Sequence, residues 1–221
     1  MIITLDGPAG AGKSSAARAL AARLGWCYMD TGAMYRAIAL ESLDRGIPLD
    51  DAGAVAALAE SVAIEFRDGR VLVDGRDVSV EIRTERITRA TRPVADAAPV
   101  REAMKRIQRR MAQGIDVVTE GRDQGSVVFP QAEVKVFVTA SAEERARRRH
   151  AEEVGRGNGM TFAEVLTAQA ARDEGDRSRT VGPMRAADDA VILETDGLTR
   201  DDVVARLVSL VEARRRGDAG P

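Results

Sequence analysis

The 221-residue chain contains one cysteine, Cys27, and one histidine, His150. A lone cysteine excludes an internal disulfide framework and a thiolate zinc cluster. Its position after Trp26 in an apolar patch predicts a small buried hydrophobe. His150 follows an arginine run on a predicted helix with no serine–aspartate pattern around it, so a Ser-His-Asp mechanism has no support. Long apolar runs are also missing. No stretch approaches the roughly 18 apolar residues of a membrane span. Asp6 and Lys13 interrupt any N-terminal run that a signal peptide would need, so the expectation is a cytoplasmic protein without a membrane partner. The net charge is only −2, which argues against a nucleic-acid partner. Lysine is scarce: of 33 basic residues only Lys13, Lys105 and Lys135 are lysine. Genome composition accounts for most of that bias, but a guanidinium fork suits phosphate oxygens bidentately, so individual arginines repay inspection.

Hydrophobic residues make up 44 % and charged residues 31 %, the composition of a globular protein. The length suits one α/β domain with an insertion, or two small domains. MIITLDG is a short apolar run, and SSAARALAARLG shows helical periodicity up to Gly25. WCYMD and TGAMYRAIALESLDRG repeat that sequence of run and helix. Strand, glycine loop, helix, strand and helix open an α/β fold with a parallel sheet. Residues 54–63 read as helix, and VAIEFRDGRVLVDGRDVS then alternates apolar and polar around Asp68-Gly69, with Asp74-Gly75 closing the second strand. That is a hairpin signal, and an antiparallel ribbon within a βαβ series implies an insertion near residues 62–95. EIRTERITRATRPVADAAPV is polar over its first half and carries Pro93 and Pro99 in its second; a helix over VREAMKRIQRRMAQG follows.

IDVVTEG and AEVKVFVTA are continuous apolar runs, as expected of strands buried on both faces. Two helices with capping boxes, Ser141 to Glu144 and Thr161 to Glu164, flank a glycine-rich break at RGNGM. ADDAVILETDG supplies a last strand, residues 199–213 a last helix, and RRRGDAGP a frayed tail. No heptad or exposed apolar stripe is evident, and a monomer is expected.

GPAGAGKS, Gly7 to Ser14, matches the P-loop pattern G-x-x-x-x-G-K-[ST] between a strand and a helix. The expected triphosphate cradle is Gly7, Pro8, Ala9, Gly10, Ala11, Gly12, Lys13, Ser14 and Ser15. Glycines turn backbone N–H groups onto the phosphates, Lys13 brings a point charge, and the helix N-terminus adds its dipole. Ser14 or Ser15 is placed to reach Mg2+, directly or through water, and a nucleoside triphosphate is the expected ligand. A GTPase would need an N-K-x-D strip, which is absent, and a motor would need a longer chain. A small-molecule kinase needs a second pocket. DTGAMYR offers Thr31, Tyr35 and Arg36 just after the second strand, where parallel sheets bind ligands. EGRDQG follows a strand in the same way; Arg122 suits a phosphate and Asp123 an exocyclic amine.

The set GPAGAGKSS, DTGAMYRAIAL, EIRT, VREAMKRIQRR, EGRDQGSVVFP, VKVFVTASAEERARRR and RDEGDRSR, in that order, resembles the bacterial cytidylate kinase family over nearly the whole chain. The resemblance implies a P-loop NTPase α/β core with a central parallel sheet over residues 1–35, 100–145 and 180–221, an inserted nucleoside-monophosphate-binding α+β subdomain at about 36–99, and a short lid at about 146–170. It implies transfer of the γ-phosphoryl group of ATP to CMP and dCMP in pyrimidine nucleotide metabolism. Arg36, Arg122, Arg172 and Arg179 then hold the acceptor phosphate, with Lys13, Arg122, Arg172 and Arg179 stabilising the transferring group. Asp176 binds the sugar hydroxyls, Arg101 and Asp123 read the cytosine edge, and Thr31 stands where the family has Ser or Thr. Arg147 and Arg149 are the lid candidates toward ATP.

Three positions depart from the family pattern: Arg92 for a base-reading serine, Gln124 for an apolar residue, and Gly175 where an arginine is common. In RDEGDRSR the spacing of Arg172, Asp176 and Arg179 predicts one helix face. An acceptor phosphate already ionised at pH 7 needs no general base. It needs charge neutralisation, since close like charges repel by roughly 4 kcal/mol at an effective dielectric near 20. The alternatives are another P-loop kinase, accepting UMP, shikimate or dephospho-coenzyme A, and a non-catalytic NTP-binding switch.

Overall fold

A computed structural model describes residues 1–155, 157 and 159–217. In chain order it runs β1 (Ile2–Asp6), α1 (Lys13–Leu24), β2 (Cys27–Asp30), α2 (Thr31–Asp44), α3 (Ala52–Ser61), β3 (Ile64–Arg67), β4 (Arg70–Val73) and β5 (Arg76–Asp77). A 3₁₀ turn (Glu81–Arg83), α4 (Glu85–Asp96), α5 (Ala98–Met111), β6 (Val117–Glu120) and a π-helical turn (Gln124–Val128) come next. The chain then forms β7 (Val134–Thr139), α6 (Ala142–Gly155), α7 (Phe162–Arg177), β8 (Val191–Glu194) and α8 (Arg200–Arg216). None of the described helices is long and apolar enough to cross a membrane.

These elements form two compact units, one of Met1–Tyr28 with the chain from Ile115 onward, the other of Met29–Gly114. The first is built on a five-stranded sheet in the order β2-β6-β1-β7-β8. β1 runs parallel to both β6 and β7, and β7 parallel to β8, as the apolar runs predict. Ile3, Leu5, Val118, Val136 and Val138 meet Ala16, Ala17 and Leu20 of α1 and Leu207 and Val211 of α8 in its core. Parallel strands end on one edge, so the segments after β1 and β6 leave the sheet side by side. That geometry puts GPAGAGKS and EGRDQG next to each other.

The second unit packs α2 on α4 and α3 on α5, beside an antiparallel sheet β3-β4-β5. Asp68 and Gly69 both have positive φ (51° and 75°), the conformation that suits a two-residue turn to the strand twist. Asp74 and Gly75 repeat it (49° and 81°), so they open a second hairpin into β5 rather than merely closing β4. This unit is wider than residues 36–99, because α2 and α5 pack within it.

Residues 85–96 form a full helix although Pro93 lies inside it. The proline removes one N–H near the end of a helix whose Ile87 and Val94 are buried, and that burial outweighs the loss. Cys27 is exposed, not buried: it is the first residue of an edge strand, and burial begins only at Met29. His150 is half-buried on α6 with its ring edge-to-face with Phe162. Ser141 caps α6 by accepting from the Glu144 N–H at 3.3 Å, but its own N–H goes to Asp196, so the box is half made. Thr161–Glu164 is a complete box, and so is Thr199–Asp202 on α8. That last helix runs on to Arg216, three residues into the stretch expected to fray; the rest of the expected tail, 218–221, lies outside the described residues. Of the glycine-rich break, Arg156 and Asn158 lie outside them as well.

Candidate functional site

In the first unit, β1 ends at Asp6 and the glycine loop turns sharply at Gly7, whose φ is 135°. A Cβ at Gly7 would sit 2.0 Å from the Val138 carbonyl oxygen of β7, so no other residue fits there. α1 begins at Lys13 with no side-chain cap and no acidic residue in its first turn. Its first amides therefore keep their donors and its positive dipole end for an anion. The Lys13 ammonium is buried and bonds the Pro8 carbonyl at 2.6 Å. Burial, reinforced by the Arg122 guanidinium, pushes it down to about 7 against the pull of Glu120 and Asp6. Ser14 Oγ donates to Glu120 Oε1 at 2.8 Å, which ties the loop's helix to the end of β6. Ser15 Oγ donates to the Gly12 carbonyl at 2.8 Å.

Beside this loop, in the same unit, stands a cationic cluster. Arg122 Nε donates to Asp176 Oδ2 at 2.7 Å, and Arg179 Nη2 lies 2.6 Å from Asp176 Oδ1. Burial would raise the Asp176 carboxyl, but the Arg122 and Arg179 guanidiniums outweigh it and hold the group below the usual carboxylate range. Arg172 is exposed on α7, within electrostatic range of both Asp176 and Lys13. The three members of RDEGDRSR thus gather, but not on one helix face. α7 ends at Arg177, and Arg179 folds back from beyond the Ser178 cap to meet Asp176. Asp123 is buried at the start of the π-helical turn and accepts the Val127 and Val128 N–H groups on its carbonyl. Gln124 is buried too, accepting from Thr119 Oγ1 at 2.9 Å, so this departure from the family's apolar residue is satisfied by a hydrogen bond.

The second unit holds the other predicted residues. Asp30 caps α2 by accepting from the Ala33 N–H at 2.7 Å, and Thr31 is the helix's buried first residue. Arg36 Nη2 lies 3.5 Å from Asp30 Oδ1, and its Nε is buried with no hydrogen-bond partner among the described residues. A buried donor without an acceptor is costly, and an anion would satisfy it. The Arg101 guanidinium lies over the Tyr35 ring at 5.7 Å and donates to the Ala95 carbonyl at 3.0 Å. Arg92 is exposed and pairs with Asp96 at 3.6 Å; its neighbour Thr91 bonds the Ile87 carbonyl at 2.6 Å.

On α6 the predicted lid arginines are spent on their own helix: Arg147 pairs with Glu144, and Arg149 with Glu152 at 3.1 Å and Glu153 at 2.5 Å. Two neighbours that the sequence did not single out face the phosphate loop instead. Arg148 bonds Thr195 through Oγ1 at 3.0 Å and the carbonyl at 2.7 Å, and its Nη1 would stand 3.7 Å from a Cβ on Gly12. Thr195 Oγ1 in turn reaches the Ala11 carbonyl at 3.3 Å. Arg145 is buried, donating to the Ala9 carbonyl at 3.0 Å and pairing with Asp173 at 2.5 Å, while Asp173 accepts from the Ala9 N–H at 3.4 Å. The only sequence signal for these residues is helical phase within ERARRRH: Arg145 and Arg148 are i and i+3, one stripe, with Arg147 and Arg149 off it.

The family model described as Cytidylate kinase matches residues 3–213. A cytidylate kinase from Rhodopirellula baltica is 48 % identical over 96 % of this chain and 92 % of its own. One from Geobacter sp. is 46 % identical over 100 % and 97 %. The solved structure of an uncharacterized protein from Eubacterium ventriosum covers 96 % of this chain and 99 % of its own with a TM-score of 0.53 at 11 % identity, a likeness of fold. With its phosphate loop, its buried arginine–aspartate cluster and relatives matched along nearly all its length, the chain belongs to the cytidylate kinase family.

Proposed function

We propose that this protein transfers the γ-phosphoryl group of ATP to CMP, and to dCMP, giving ADP and the nucleoside diphosphate, in the cytoplasmic metabolism of pyrimidine nucleotides. The observation that carries the reading is the pair of guanidiniums, Arg122 and Arg179, held on Asp176 at the sheet edge that also bears the phosphate loop. A phosphate-to-phosphate transfer needs that arrangement. The acceptor oxygen is already ionised, so the barrier is repulsion between anions, and fixed cations lower it without reorganising. Lys13 returns to full charge as donor phosphates replace the carbonyl at its ammonium. Arg122, Arg172 and Arg179 hold the acceptor phosphate and the transferring group. Asp176 retains a free lone pair on each oxygen after pairing with two arginines, which it offers to the sugar hydroxyls. In the second unit Arg36, with Thr31, offers an anion contact, and Arg101, set by Tyr35, is given a base-reading role; in the first unit Asp123 is given a base-reading role of its own.

The oxygen donors Ser14 and Glu120, with no cluster of three metal-ligating side chains among the described residues, suit a cation that keeps phosphate and water ligands, as Mg2+ does. Mg2+ bound with ATP would be held by these two residues and would supply positive charge to the β- and γ-phosphate oxygens.

The test is the initial rate with CMP, dCMP, UMP and AMP at fixed Mg-ATP. CMP and dCMP are expected to lead in kcat/KM, with ATP turnover negligible without an acceptor. Equal rates for AMP, or turnover independent of any acceptor, would overturn the proposal.

A further inference from the structure

Asp6 has no place in the reading above, although it is buried and immediately precedes the phosphate loop. Its carboxylate bonds backbone amides of the turn after β6. Oδ1 accepts the Gln124 N–H at 2.8 Å and Oδ2 accepts the Gly125 N–H at 2.7 Å. These are the first two amides of the π-helical turn, which has no side-chain cap of its own; Asp123, at the capping position, accepts the later Val127 and Val128 amides on its carbonyl. The first amides of any helical turn lack partners within it. Here the partner comes from a different strand, 118 positions away.

Thr4 holds the turn as closely. A Cβ at Gly125 would lie 2.7 Å from Thr4 Oγ1 and 3.3 Å from Lys135 Cγ. Thr4 and Asp6 are i and i+2 on β1 and therefore share a face of the strand. Gln124 adds a third tie through its side chain to Thr119 of β6. The turn is thus seated on β1 by two hydrogen bonds and by a close contact at which a Cβ on Gly125 would meet Thr4. Arg122 and Asp123 leave β6 directly into that seat.

From this geometry we infer that Asp6 is a positioning residue, which caps the EGRDQG turn from the neighbouring strand and so sets Arg122 and Asp123 at a fixed distance from the phosphate loop. The inference rests on the proposal that Arg122 and Asp123 face the acceptor. Asp6→Asn keeps the size but puts an amide donor opposite one backbone N–H. It is expected to lower kcat/KM for CMP about tenfold to a hundredfold, the loss that follows when a buried amide is left without its acceptor. KM for ATP should stay within about threefold, and hydrogen exchange at the Gln124 and Gly125 amides should quicken by at least about tenfold. Gly125→Ala, which pushes the turn off the same face of β1, should give the same split between CMP and ATP.

Arg122→Ala serves as the reference. If it lowers kcat/KM for CMP while Asp6→Asn does not, the positioning role is wrong. It is equally wrong if Asp6→Asn weakens ATP as much as CMP, the mark of a merely structural residue. If Arg122→Ala leaves CMP untouched, the acceptor reading of the loop falls, and the exchange rates at 124 and 125 still decide whether Asp6 holds the turn. Should Asp6→Asn fail to fold, Gly125→Ala and Asp6→Glu decide it by the same readouts.

Discussion

Two arginine-rich stretches of the first unit, ERARRRH on α6 and RDEGDRSR at the end of α7, look alike in sequence and differ in what they do. On α6, Arg147 and Arg149 find glutamates three or four residues away on their own helix; Arg147 is exposed and Arg149 half-buried. Such pairs contribute a few tenths of a kcal/mol, about the value of an i,i+4 pair in any solvated helix. At the end of α7 the partners are distant: Asp176 is buried and its first arginine, Arg122, is 54 positions away on another loop. Solvent cannot screen that group, and its geometry is set by two parts of the fold at once. The difference between a solvated run and a site lies in the separation and burial of the partner, not in charge density. The α6 run itself contains both kinds, since Arg145 and Arg148 bond the phosphate loop and Thr195 while Arg147 and Arg149 pair along the helix.

The contrast can be tested by breaking one side and then the other. The largest effect is expected from Arg122→Ala, with kcat/KM for CMP falling about a hundredfold or more, as for loss of a fixed cation on a transferring phosphoryl group. Arg147→Ala should stay within about twofold in the same steady-state assay. A comparable loss for both would erase the distinction. Asp176→Asn comes next, and it is measured by denaturation across pH. The carboxyl is held below its ordinary range by two guanidiniums, so its contribution is present above the usual carboxylate pKa and is lost as pH falls through the lowered value. The variant should be less stable by about 2 kcal/mol near neutral pH, with the gap closing below about pH 4. A gap that persists in acid would mean that packing, rather than charge pairing, explains the loss. Smallest of the three is Arg148→Ala, expected to raise KM for ATP about tenfold while Arg149→Ala leaves it unchanged, because only Arg148 reaches the loop carrying Gly12.

Most of the sheet and the helix order could be read from periodicity, since apolar runs such as VKVFVT have no stable place except between two layers. The phosphate loop was legible for a different reason: its function needs backbone that only glycine supplies, as the 2.0 Å clash at Gly7 shows. The helix over residues 85–96 was hidden behind Pro93, because local propensity spoke against it and two buried side chains decided for it. Cys27 misled for the opposite reason, an apolar neighbourhood in sequence that turned out to be the exposed start of an edge strand.

RDEGDRSR shows where the boundary lies. Its composition and its resemblance to the cytidylate kinase pattern were enough to gather Arg172, Asp176 and Arg179 as one group, since a short segment cannot send its members far apart. Helical phase then implied a single face, and there folding intervened: the helix stops at Arg177, and Arg179 meets Asp176 by turning back. Nothing local announces Arg122 as the partner on the other carboxylate oxygen, or Asp6 as the cap of the Gln124–Val128 turn. Both are pairings across more than fifty residues, created when parallel strands bring their ends to one edge. Chain-local chemistry and glycine geometry are written along the sequence. Which buried charge meets which is written only in the sheet order, because burial and proximity arise together when the strands align.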